Sequence, residues 1–134
     1  MKKYLHIAAK IIFSLILLLP ILGATGVFPD ATRNLYNTDR AFAFIQMLTD
    51  TGYITYMMAV VHILALIALW TRREALAALL ELPIMLNVVA FHLVLDGGLL
   101  TAGASLADLM LLLNLYFLWV NREKYAVLLR PATM

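Results

Sequence analysis

Lys10, His62, Glu81 and Asn114 are the residues of this sequence with chemistry to offer, because each stands inside a strongly apolar run. An isolated charge in hydrocarbon costs several kcal/mol, so the opposite charges of Lys10 and Glu81 predict an internal ion pair. An imidazole at His62 and a carboxamide at Asn114 add donors and acceptors beside it. The inner ends of the four runs lie near Tyr4, Trp70, Glu74 and Asn121. At about 1.5 Å per helical residue, the four polar residues then come out roughly 9–12 Å deep, one per run. Such a layer has two uses. It fixes helix register, as polar interhelical contacts commonly do, or it handles protons or a quinone headgroup. The structural use leads, because no metal-binding or catalytic spacing accompanies the layer.

A second polar group lies toward the other end of the runs: His92, Asp96 and Asp108. His92 and Asp96 are four apart and share a helix face, a spacing that can bring two metal ligands together. One imidazole and two carboxylates do not specify a metal site, and none is assigned. Asp96, ahead of Gly97-Gly98, reads as a cap-and-loop residue. His6 sits at the inner interface, where lipid headgroups are its expected contacts. The seven methionines are scattered and read as packing. With no cysteine there are no disulfides, thiolate metal sites or thiol redox chemistry. Ser14 and Ser105 lack a nucleophile-elbow context, and Gly23-Ala-Thr-Gly26 is a run terminus rather than a phosphate loop. No two histidines share a run, and His62 and His92 lie about 12 and 27 Å from the inner side, too far apart to ligate one haem iron. No enzymatic reaction is assigned, and no cofactor beyond the quinone of the alternative reading.

The elements that hold these residues follow from composition. Of 134 residues 64% are hydrophobic and 13% charged, with mean hydropathy +0.92; soluble domains run at about 45–50% and 25%. The bilayer is the expected solvent. Four runs of spanning length, about 5–26, 53–70, 75–95 and 104–120, predict a single domain of all-α class: a polytopic membrane four-helix bundle covering residues 1–134. The first run competes with a signal peptide, but its length of about 20 residues favours a retained span. Pro20 is expected to bend it. In the polar stretch after it, Asn37-Thr38-Asp39 offers a helix cap. Ala41, Phe44, Ile45 and Leu48 then recur at helical spacing up to Gly52, predicting a short amphipathic helix along the membrane surface or over the bundle. Within the third run Glu81, Met85, Val88 and His92 share one stripe, with Asp96 at its edge.

Distribution of basic residues sets the topology. Lys2, Lys3, Lys10, Arg72, Arg73, Arg122, Lys124 and Arg130 fall on one side, against Arg33 and Arg40 on the other. That asymmetry predicts both termini in the cytoplasm of an inner-membrane, multi-pass protein. A net charge of +2 is too small to suggest nucleic acid. The partners expected are the lipid bilayer and other membrane subunits or further copies of the chain.

The third run and its exit, Leu82-Pro-Ile-Met-Leu-Asn-Val-Val-Ala-Phe-His-Leu-Val-Leu-Asp96-Gly-Gly-Leu, resemble the most recognisable segment of the DoxX and DoxX-like membrane proteins. Those carry a proline, then Asn, then Phe-His, and an Asp-Pro or Asp-Gly loop. Gly52-Tyr53 and Asn121-Arg-Glu-Lys-Tyr125 are also similar, and the resemblance covers roughly residues 8–130. His62 stands where that family usually has a Glu early in its second span. Thr25-Gly-Val-Phe28 stands in place of a Lys-Phe pair. The resemblance implies a four-helix membrane bundle. The family is named for a subunit of an archaeal quinol oxidase, and other members belong to redox-stress complexes or act as assembly chaperones. The role implied is a non-catalytic subunit or an accessory and assembly protein, with a redox component meeting a lipid quinone as the alternative.

Overall fold

Several of the apolar runs begin or end at a capping side chain or a glycine, and the computed structural model of the chain, which describes residues 2–128 and Pro131, is helical along each run. They are α1 (Lys2–Ala24), α2 (Asp39–Thr51), α3 (Tyr53–Trp70), α4 (Glu74–Val94), α5 (Ala102–Val120) and the short α6 (Arg122–Tyr125). Thr38 and Thr101 cap α2 and α5, their hydroxyls accepting from the amides of Ala41 and Ala104. Gly52, at φ +69°, makes the sharp turn between α2 and α3 that a side chain would resist. The chain of α1 passes through Pro20 and that of α4 through Pro83 without leaving the helix.

Four helices, α1, α3, α4 and α5, are long and apolar enough to cross a membrane. The chain is thus an all-helical, multi-pass membrane protein, and the expected spans hold to within a few residues. Around the bundle α1 packs on α3, α3 on α4 and α4 on α5, while α5 and α1 close the ring along a thinner seam. The core is built from Phe13, Leu17, Leu69, Met85 and Phe117. Ala65, Ala68, Ala77 and Ala78, also buried, let the backbones of α3 and α4 approach closely. Leucines such as Leu15 and Leu112 point outward, as hydrocarbon solvent permits.

The amphipathic α2 takes the covering position. Its only buried residue is Ala41, and Phe44, Ile45 and Leu48 lean over a groove between α3 and α4. Arg130, counted above in the charge asymmetry, lies outside the described residues.

Candidate functional site

Three polar clusters are stacked along the bundle, and α4 contributes to each. The middle one is its most enclosed feature. Glu81, one face of α4 inward, meets His62 of α3: the imidazole Nδ1 is 2.9 Å from Oε1 and 3.0 Å from Oε2. Their side chains are 0% and 1% exposed. One turn earlier on α4, the Ala78 carbonyl accepts from Asn114 Nδ2 of α5 at 3.1 Å. Asn114 Oδ1 has no partner, and it is the one buried side-chain oxygen or nitrogen among the described residues so placed.

The expected Lys10–Glu81 ion pair is not formed. Lys10 Nζ instead donates to Glu74 Oε1 at 3.0 Å, and Glu81 is taken by His62. The reason is geometric. Helix α1 lies alongside α3 and α5, across the ring from α4. It also sits about one turn further toward the inner side than an inner end at Tyr4 assumes, so residues 6–10 are level with the first turn of α4. Helical side chains lean toward their own N-terminus, which carries the Lys10 ammonium further that way. Three of the four predicted residues, His62, Glu81 and Asn114, therefore stay together, and Lys10 belongs to another cluster.

That inner cluster joins α1, α4 and α5. His6 Nε2 is 3.1 Å from the same Glu74 oxygen, and its Nδ1 is 3.0 Å from the Tyr116 hydroxyl. Lys10 also lies over the Trp70 ring at 5.0 Å, and Trp70 Nε1 donates to Ser14 Oγ. His6 thus finds protein partners where headgroups were expected. The missed residues are His6, Glu74 and Tyr116. The four-residue spacing of His6 and Lys10, which puts both on one face of α1, was the signal that could have found them.

The outer cluster is a clamp on the first loop. His92 Nδ1 is 3.0 Å from Asp96 Oδ2, while Asp96 Oδ1 accepts from the Asn37 amide at 2.7 Å. Asn37 Nδ2 returns a bond to the Asp96 carbonyl, and the Thr38 hydroxyl donates to the Leu95 carbonyl. Asp96 is buried and serves the loop, as its place before Gly97-Gly98 suggested. Burial, and then the Asp96 carboxylate, hold the nearby Tyr36 phenol above its usual range. Asp108 does not join: it is half-buried on α5, with no hydrogen bond or ion pair among the described residues. Gly103 of α5 lies beside His92 here: a Cβ at that position would stand 3.4 Å from His92 Cε1.

Among the described residues no three His, Cys, Asp or Glu side chains converge as metal ligands. A groove of about 810 Å³ lies beneath α2, lined mostly by apolar groups with Tyr36, Asn87 and His92 on its wall, and neither His62 nor Glu81 borders it. In chemical terms the middle pair can share a proton between imidazole and carboxylate, but only within a sealed core. Compared with known proteins, the chain matches no family model, no curated protein and no solved structure.

Proposed function

We propose that the protein is a non-catalytic subunit or accessory factor of a membrane complex, DoxX-like in kind, with both termini in the cytoplasm. The observation that carries this reading is how the buried polar groups are used. His62 and Glu81 bond each other, the Asn114 amide nitrogen bonds the α4 backbone, and Asp96 bonds the first loop, so every hydrogen bond these groups make to another element ties parts of the fold together. A site that handles protons or a quinone needs a route for its substrate, and the groove passes the His62–Glu81 pair by. Extended apolar flanks and a capped outer loop suit a protein that presents surfaces.

The test separates holding from working. In the doubly apolar variant His62→Leu with Glu81→Leu, a structural pair leaves a stable protein that keeps its membrane complex on native gels. A double variant that is stable and still assembled, yet has lost the wild-type phenotype, would overturn the reading in favour of proton or quinone chemistry. Extraction of bound lipids from the purified wild type gives a second measure: a quinone present one-to-one with protein would point the same way.

A further inference from the structure

Asn87 and Asp108 are polar side chains of the spans that no other helix takes up among the described residues. Asn87 is exposed on α4 and uses one amide hydrogen on its own helix, to the Pro83 carbonyl at 2.8 Å. Its other hydrogen and its Oδ1 have no partner among the described residues. Asp108 on α5 has none at all, and the residues one and two turns further along its stripe, Leu112 and Leu115, are exposed. In hydrocarbon a carboxamide and a carboxyl so placed call for a partner.

The two groups are level with each other. Helices α4 and α5 run antiparallel, with His92 beside Gly103 and Ala78 bonded to Asn114. Asn87 lies five residues inward of His92, and Asp108 five inward of Gly103. That places both about 8 Å below the same rung. They cannot bond within one chain, because they occupy opposite flanks of α4. Asn87 lies on the α3 side, on the wall of the groove, and Asp108 on the α5 side. Between them runs an exposed ridge of Leu79, Leu86 and Leu93, spaced by seven, with Pro83 and Ala90 in the intervening places. Spacings of four and three are those of a coiled-coil seam.

We propose that a second copy of this chain docks on the α4 ridge about a two-fold axis along the membrane normal, each Asn87 carboxamide bonding the partner's Asp108 carboxyl. A two-fold contact sets the left flank of one copy against the right flank of the other, so level groups on opposite flanks meet twice. Donor and acceptor are complementary whether the carboxyl is ionised or protonated, since a carboxamide offers both. The dimer rests on the subunit reading above, and would make this chain a paired component of the complex.

The chain has no cysteine, so single introduced thiols report without background. Leu86→Cys, on the ridge, should form a disulfide-linked dimer in native membranes, while Leu15→Cys, exposed on α1 across the ring, should not. In nanodiscs Asn87→Val and Asp108→Leu should each weaken self-association about tenfold, two bonds being lost per dimer. Thermal stability should change little, since Asn87 is exposed and bonds only its own helix, and Asp108, half-buried, makes no bond to another helix among the described residues. The swap Asn87→Asp with Asp108→Asn should restore association that Asn87→Asp alone abolishes. Failure of Leu86→Cys to link, dimers indifferent to both single variants, or a swap that does not rescue would each overturn the proposal. Monomers that still assemble with other membrane proteins would overturn the dimer and leave the subunit reading standing.

Discussion

Removing Glu81 should be among the most damaging single changes to this bundle. Its carboxylate is 0% exposed and both oxygens lie within 3.0 Å of His62 Nδ1. Truncating one member of such a pair leaves the other without a partner in a sealed core, at a cost of about 3–5 kcal/mol. Glu81→Leu and His62→Leu should each show it. At roughly 3–4 °C per kcal/mol for a chain of this size, melting in detergent should fall by about 9–20 °C. The intrinsic fluorescence of Trp70 and Trp119 can follow it. With both replaced, no polar group is stranded, and apolar replacement of a whole buried pair is often neutral. The double variant should therefore melt no lower than either single variant. The coupling between the two sites should then be at least about 3 kcal/mol, at the upper end for contacting residues. A double variant whose loss equals the sum of the two singles would refute the reasoning, because it would mean the two side chains do not act as a unit.

The inner cluster should behave differently. Lys10 and Glu74 are only 13% and 17% exposed, but Glu74 keeps His6 as a partner when the ammonium is removed, so Lys10→Met should cost about 1.5–3 kcal/mol, less than the loss of Glu81, measured by the same melts. Gly97 has φ +88° and a Cβ there would meet Asn37 Cβ at 3.3 Å. Gly97→Ala should therefore cost about 1–2 kcal/mol and hasten protease cleavage of the outer loop, unless the Asn37–Asp96 clamp is not formed. Reporter fusions after Arg73 and after Met134 should read cytoplasmic and one after Asn37 external. A cytoplasmic Asn37 would contradict the charge asymmetry from which the topology is drawn.

The four spans were legible because hydrocarbon imposes length and composition on each helix separately, and both are properties of contiguous sequence. The Thr38 cap and the Asp96 loop role were legible for a similar reason, since their signals sit within a few residues of the feature they serve. Pairing was harder. Depth along each helix could be counted, and it brought His62, Glu81 and Asn114 to one layer. Which helix lies beside which cannot be counted from depth, and α1 proved to be across the ring from α4. A shift of about one turn in α1 was then enough to exchange Glu81 for Glu74 as the partner of Lys10. Charge complementarity alone could not reveal this, because Glu74 and Glu81 offer the same carboxylate seven residues apart on one helix.

The polar groups also explain why α4 carries the weight of the fold. Its first residue, Glu74, ties α1 at one end, Glu81 and the Ala78 carbonyl hold α3 and α5 in the middle, and the Asp96 exit fixes the first loop at the other end. Between α1 and α5 the seam of the ring is thin, bridged by the His6–Tyr116 bond and by Phe13 against Phe117. A helix held at three depths cannot rotate or slide without breaking bonds in all of them. Its outward ridge is consequently held in one orientation by bonds at three depths. Presenting a face already fixed in orientation reduces the entropy lost on association, and the ridge of α4 offers such a face.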